Sequence, residues 1–275
     1  MTDDVRWHAR AADLLALHHT SAPLVLPNVW DGGSARLAEE AGFAALATTS
    51  AGIAFSHGVR DGALERGPMM ERIAQIVAVA GVPVTADLES GYGPEADDVA
   101  RTVAEAVGLG VVGANLEDVR DGELLEVEKA HARLEAAREA APRGTFVLNA
   151  RTDTYLVGVP DAFAETVRRA EAYVEAGADC VFVPGVGDAD TIGRLVAAVP
   201  APLNVVAGLT AAMPSVGELG QLGVARVSVG GSLARAALAY VETTLRSLHG
   251  EHDLSFTMSA LGHADLQRRF SSRIP

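Results

Sequence analysis

Three short strings put acids where chemistry could be done: TADLESGYG at 85–93, NLEDVRDG at 115–122 and LNARTDTY at 148–155. A fourth, SAGIAFSHGVRDG at 50–62, adds Asp61. Each of the first three follows an apolar run with the look of a strand. Side chains on a strand alternate faces, so Asp87 and Glu89 are expected on one face, Asn115 and Glu117 on another shared face, and Asn149, Arg151 and Asp153 on a third. Buried carboxylates are costly unless they are paired or hold a cation. Asp87, Glu89 and Glu117, with Asp61, offer only oxygen ligands, and no His or Cys stands nearby. That donor set suits a hard cation, Mg²⁺ or Mn²⁺, rather than zinc. Mg²⁺ keeps several of its waters, so one direct ligand and several water-bridged acids are expected. Taken singly, Asp61, Asp118 and Asp153 also read as solvated loop acids or partners of an Arg.

The elements that must position these acids repeat along the chain. Apolar runs at 23–29, 43–49, 82–88, 111–117, 145–151, 179–183, 202–207 and 225–229 alternate with amphipathic stretches such as EADDVARTVAEAVGLG. Continuous rather than alternating apolarity marks strands covered on both faces. Several helical stretches stop at a glycine (Gly42, Gly81, Gly110, Gly177, Gly223), a common C-terminal signal. Eight β/α units in 275 residues predict a single-domain (β/α)8 TIM barrel spanning 1–275, with the barrel at about 20–248 and a helical tail at about 250–275. An open doubly wound sheet fits less well, because VWDGGSARL after the first strand is not a dinucleotide-binding glycine loop. In a barrel, reactive groups lie at the C-terminal strand ends, which is where the acids fall.

Composition narrows the partners. The net charge of −14 disfavours nucleic acid and acidic membrane surfaces, both of them polyanions. No run approaches the length needed to span a bilayer, and the polar opening MTDDVRWHAR does not read as a secretory leader. A cytoplasmic protein is expected. The lone Cys180 excludes an internal disulfide framework. Lys129, the sole lysine, falls in an exposed helical pattern, which argues against Schiff-base chemistry. Cys180 reads as core filler. His57 could reach the mouth of the barrel, Tyr92 could cover it, and Gly230-Gly231 reads as close packing at the rim.

Together, D-x-E-S-G-Y-G, the following L-E-D and the N-A-R-T-D after it make the chain resemble the isocitrate lyase / phosphoenolpyruvate mutase superfamily over roughly residues 20–245. The resemblance implies a Mg²⁺-dependent barrel acting on 2-oxo or 2-hydroxy acids, in many members through an enolate-like species. It also implies a homo-oligomer, dimer or tetramer, with the last helix swapped between subunits. Carried over residue by residue, Asp87 would ligate the metal directly, while Asp61, Glu89 and Glu117 would hold its waters. Arg151 would bind the substrate carboxylate and neutralise enolate charge, with Glu117 beside it. The loop Thr49-Ser50-Ala51-Gly52 would receive the carboxylate on its backbone N–H groups.

The departures are specific. The lyase branch has a Lys, a catalytic Cys, a Gly and a His on a mobile loop after strand four, whereas this chain reads VRDGELLEVEKAHARL. The mutase branch has Asn and Lys on that loop, and neither is present. Glu89 stands where the family usually has Asp, and Pro184-Gly185 stand where several members carry a His or Glu. The reading is therefore a Mg²⁺-dependent enzyme making or breaking a C–C bond in a small 2-oxo or 2-hydroxy (di)carboxylic acid, isocitrate lyase-like or of the oxaloacetate decarboxylase or hydrolase kind. The alternatives are a C–P bond enzyme, of the phosphonopyruvate hydrolase or phosphoenolpyruvate mutase type, and a 2-oxo acid-binding protein without catalysis.

Overall fold

Pro27 splits the first barrel strand, and the two pieces become opposite ends of the sheet. β1 (Leu24–Leu26) and β2 (Asn28–Val29) flank it; β3 (Leu46–Thr48), β4 (Val84–Asp87), β5 (Gly113–Glu117), β8 (Val147–Arg151), β9 (Cys180–Phe182), β10 (Leu203–Val206) and β11 (Arg226–Ser228) follow. All pair in parallel in the order β1-β11-β10-β9-β8-β5-β4-β3-β2. Because β1 and β2 are consecutive pieces of one strand, the sheet closes into a barrel. Proline cannot donate to a ladder, which explains the break. Asn28 straps the seam: its Nδ2 donates to the Thr48 carbonyl at 2.8 Å, and its Oδ1 accepts the N–H groups of Val229 and Gly230, each at 2.9 Å. The computed structural model describes residues 3–271, with side chains from residue 7 onward, so the expected domain ends at 1 and 275 lie outside the described residues.

The helices are α1 (Asp3–Leu17), α2 (Gly32–Glu40), α3 (Ser50–Ser56), α4 (Arg66–Val79), α5 (Ala96–Gly108), α6 (Val127–Ala140), α7 (Thr154–Val157), α8 (Ala162–Glu175), α9 (Ala189–Ala198), α10 (Val216–Gln221), α11 (Ser232–Glu251) and α12 (His263–Ser271). In α5 the buried positions are Val99, Thr102, Val103 and Ala106, the i, i+3, i+4, i+7 stripe of a helix laid on a sheet. α1 closes the N-terminal end of the barrel. Its Ala11 and Leu14 pack with Leu24, Val112 and Val147 at strand starts, and Trp7 Nε1 donates to the Val111 carbonyl at 3.0 Å. Gly110 and Gly177 end their helices left-handed as expected (φ 93° and 110°), whereas Gly81 does not: α4 is closed by Ala80 in extended conformation.

Two features depart from the sequence reading. The segment after β5 is a tight antiparallel hairpin, β6 (Val119–Arg120) and β7 (Glu123–Leu124), turned by Asp121 and Gly122 at φ 53° and 84°. Asp-Gly with both residues left-handed is a two-residue hairpin turn. The barrel interior is also not simply apolar. Below the acids lies a layer of buried Asn28, Thr48, Thr85, Asn115, Asn149, Asn204 and Ser228, with Arg226 fully enclosed. The amides bond to one another in series, while Thr85 Oγ1, Asn149 Oδ1 and the Nε and Nη1 of Arg226 keep no partner among the described residues.

Candidate active site

Asp87 ends β4 and is held from two directions. Its backbone N–H donates to Thr48 Oγ1 at 2.9 Å, and its Oδ2 accepts from the Ser50 N–H and hydroxyl at 3.1 and 3.0 Å. Ser50 is the first residue of α3, whose cap Thr49 accepts the Gly52 N–H at 3.2 Å. Of the Thr49–Gly52 loop, the N–H groups of Thr49, Ser50 and Gly52 thus have protein acceptors, the first on the Val29 carbonyl at 3.2 Å. Ser50 Oγ also lies 3.4 Å from Asp61 Oδ1. Burial, reinforced by the charge of Asp87, lifts the Asp61 carboxyl above its usual range.

Glu89 arrives by a different route from the one strand parity implies. The strand stops at Asp87, and Glu89 sits in the left-handed region at φ 50°. Its Oε1 accepts the Tyr92 hydroxyl at 3.2 Å. Burial, with the charges of Asp87 and Asp61, raises its pKa to about 7. Arg133 of α6 clamps the loop that carries both: it donates to the carbonyls of Ser90, Gly93, Pro94 and Glu95.

Glu117 ends β5 and faces Arg151, which ends β8 in the adjacent register position. Arg151 Nη1 lies 2.9 Å from Glu117 Oε2, and its Nε and Nη2 form a two-pronged pair with Asp153 at 2.6 and 2.7 Å. Burial pushes the Glu117 carboxyl up against the pull of Arg151, and the two carboxylates hold Arg151 firmly protonated. One N–H on each terminal nitrogen of Arg151 is left over by this arrangement. Asp153 has left the strand and stands at the N-cap position of α7 without a side-chain capping bond; its carboxylate is the partner of Arg151. Asp118, one residue past Glu117, points the other way. It accepts from Tyr173 Oη (2.6 Å), Arg169 Nη1 (3.1 Å) and the Asp153 N–H (3.0 Å).

Above these groups opens a cavity of about 340 Å³. Polar Thr49, Ser50, Asp61, Asp87, Asn115, Arg151 and Arg235 line it together with apolar Phe55, Leu156, Phe182, Pro184, Val206 and Leu209, and Arg151 lies over the Phe182 ring at 5.5 Å. Glu89 and Glu117 are not among its walls. His57 is not either, and its Nδ1 contacts the Ile53 carbonyl of its own helix at 3.0 Å. Cys180 is enclosed in the barrel with its thiol pushed up to about 12 by burial, and Lys129 is exposed on α6. Gly230 and Gly231 do reach the cavity; a β-carbon on Gly231 would come within 3.3 Å of Ala51.

Among the described residues five carboxylates (Asp61, Asp87, Glu89, Glu117, Asp153) gather around the guanidinium of Arg151; burial chiefly, with their mutual repulsion added, raises three of them. An oxygen-only donor set with surplus negative charge fits a divalent cation. Among the described residues no three acids converge closely enough to ligate one ion directly, so the fit is to a cation that touches one carboxylate and reaches the rest through water. Sequence reasoning missed Arg133, Arg235, Arg226 and the amide layer. The signal available for the last was the alternate placing of polar residues in apolar runs, as in L-N-V-V and R-V-S.

Residues 14–249 match the family model described as phosphoenolpyruvate phosphomutase. A solved structure from Burkholderia cenocepacia J2315 superimposes with TM-score 0.92 at 42% identity, covering 97% of this chain and 98% of that one. The 2-methylisocitrate lyase of Bacillus subtilis (strain 168) is 30% identical over 195 residues, 66% of this chain and 63% of the lyase. Oxaloacetate acetylhydrolase in complex with 3,3-difluorooxalacetate superimposes with TM-score 0.86 at 29% identity over 95% of this chain and 93% of the hydrolase. No helix among the described residues is long and apolar enough to cross a membrane.

Proposed function

The chain belongs to the phosphoenolpyruvate phosphomutase family, and we propose that it is a Mg²⁺-dependent (or Mn²⁺-dependent) enzyme making or breaking a C–C bond in a small 2-oxo or 2-hydroxy (di)carboxylic acid. The observation that carries this reading is the surplus of carboxylates around Arg151 at the mouth of a ligand-sized cavity. Asp87 would hold the cation directly, with Asp61, Glu89 and Glu117 reaching it through water. When bound, the cation supplies a Lewis acid that polarises the 2-oxo group and offsets negative charge. Arg151 orients the substrate carboxylate with its two remaining N–H groups, and its tie to Glu117 and Asp153 keeps it from turning away. The small residues at 49–52 let the acid approach the backbone closely. Arg235 is placed to meet a second carboxylate across the cavity.

A second reading has one observation in its favour. The hairpin β6–β7 stands where the resemblance implies a loop with an acid–base Cys, and it carries no Cys, which suits a 2-oxo acid-binding protein without turnover. A thermal-shift screen of 2-oxo and 2-hydroxy acids with and without Mg²⁺, followed by NMR of the stabilising acids for cleavage products, separates the two. Cation-dependent stabilisation with carbon–carbon cleavage supports the enzyme, and stabilisation without turnover the binder. Phosphate release from phosphonopyruvate would move the assignment to C–P chemistry, and no stabilisation by any acid would remove both readings.

The same reading includes assembly and location. α11 leaves Leu238, Val241 and Leu245 about half exposed along one side. Apolar faces of that extent mark interaction sites, and a second copy of this chain, exchanging α11, is the proposed occupant. Sedimentation showing only monomer would exclude it. The cytoplasm is the proposed location.

A further inference from the structure

Arg226 is fully enclosed inside the barrel, a guanidinium that pairs directly with no carboxylate among the described residues. Its Nη2 donates to Asn115 Oδ1 at 3.2 Å, while its Nε and Nη1 have no partner among the described residues. Burial lowers its pKa to about 10, which still leaves it charged at neutral pH. Stability alone does not account for such a group, since a buried charge is often replaced by apolar residues without loss. A guanidinium has one property that bears on its neighbours: it only donates.

That property propagates through the amide layer. Asn204 Nδ2 is anchored on the carbonyls of Val205 (2.6 Å) and Arg226 (3.3 Å), so its Oδ1 must face Asn149. Asn149 answers with Nδ2, giving one hydrogen to Asn204 Oδ1 at 3.0 Å and the other to Asn115 Oδ1 at 2.7 Å. Asn115 Oδ1 therefore receives Asn149 from one side and Arg226 from the other. Turning the Asn115 amide over would set its NH₂ against two donors. Both orienting groups hold Oδ1 down in the barrel, and Asn115 lines the cavity above. Its Nδ2 neither bonds to a described residue nor is sealed from that cavity. Asn115 is also the register partner of Asp87, so it stands beside the residue proposed to hold the cation.

We propose that Arg226 is a positioning residue that locks the Asn115 side chain so that its NH₂ faces the cavity as a donor to an oxygen of the bound acid. This rests on the 2-oxo acid site proposed above. The donor costs no reorganisation when the acid arrives, because its direction is set before binding. Methionine in place of Arg226 removes one of the two donors that hold Asn115 Oδ1 down, leaving Asn149 alone, so the preference for presenting NH₂ rather than oxygen to an anion is weakened.

The test uses oxalate, a planar dianion with the oxygen spacing of a 2-oxo acid, titrated calorimetrically in the presence of Mg²⁺. Asn115→Leu is expected to weaken oxalate about tenfold, the loss of one hydrogen bond to a charged acceptor. Arg226→Met is expected to weaken it about fivefold in the parent and by less than twofold in the Asn115→Leu background, because it acts through that amide. Arg226→Lys, which also only donates, should stay within about threefold of the parent. A purely structural role would lower the melting temperature of Arg226→Met and leave the two losses additive, and that additivity overturns the proposal. If Arg226→Met does not fold, the Asn115 side-chain NH₂ resonances of the parent protein decide. Movement on adding oxalate supports the proposal, and resonances that stay fixed at saturation overturn it. Failure of the parent protein to bind oxalate at all overturns both this inference and the site on which it rests.

Discussion

Glu117 and Asp118 are adjacent in sequence, yet the barrel gives them opposite circumstances. Asp118 points into the layer between sheet and helices, where Tyr173, Arg169 and a backbone N–H saturate it, and Arg169 is in turn tied to Glu165 at 2.7 Å. Glu117 points inward, shares its one cation with Asp153, and feels Asp87 and Glu89 as well. The outward network is complete without any ligand. The inward one has more negative charge than its own residues can balance. Strand parity puts two carboxylates a residue apart into a finished structural cluster and an unfinished electrostatic one, and an unfinished cluster beside a cavity is what a binding site looks like.

If that contrast is right, substitutions on the two sides fail in different ways. Asp118→Ala would take one of two carboxylate partners from the buried Arg169 and leave the Tyr173 hydroxyl and the Asp153 N–H without their acceptor, and the expected loss is roughly 2–4 kcal/mol of stability, on the order of 8 °C in melting temperature by calorimetry. Oxalate affinity of the folded variant should change little. Asp87→Ala reverses the pattern. Oxalate binding with Mg²⁺ should fall about a hundredfold, the upper end of what is lost when even an outer partner of a metal site is removed, while the metal-free melting temperature holds or rises because a repulsive charge is gone. A drop in stability for Asp87→Ala comparable to that of Asp118→Ala would erase the distinction.

The pH dependence sharpens it. Glu89 titrates at about 7 in the fold against an ordinary value of 4.5, so between those values the folded chain holds more protons than the unfolded one. Stability of the metal-free protein should therefore fall as pH rises from about 4.5 to about 7 and then level off. Because Glu89 is partly exposed, the effect is on the order of 1–2 kcal/mol. Mg²⁺ should flatten that slope, since it replaces the protons, and thermal melts across pH with and without the cation read this directly. A stability that rises through the same window would contradict the crowding of acids. The smallest effect is expected from Tyr92→Phe, which removes one hydrogen bond to Glu89. Oxalate affinity should change by no more than about threefold.

The barrel was legible in the sequence because buried parallel strands announce themselves as apolar runs, and each of the eight runs holds a strand. The split at Pro27 was not foreseen, although proline is the residue that causes it. For Asp87, Glu117 and Arg151, strand position located the charges correctly at the strand ends. Glu89 came to the same cluster through a left-handed turn that no periodicity encodes. The hairpin after β5 carried a local signal, Asp121-Gly122, that the comparison with a mobile loop obscured. The amide layer and Arg226 were hidden for a physical reason: Asn115 and Arg226 are 111 residues apart, and a polar residue inside an apolar run reads as noise until its partner across the barrel is known.

The central claim, that the acids around Asp87 hold a divalent cation, is tested most directly by titrating Mn²⁺ into the metal-free protein and its Asp87→Ala variant while following the free ion by electron paramagnetic resonance. The account expects one Mn²⁺ bound per parent chain, tightened by oxalate, and no comparable binding to the variant. Equal Mn²⁺ binding by the two proteins, or no binding by the parent, would contradict it.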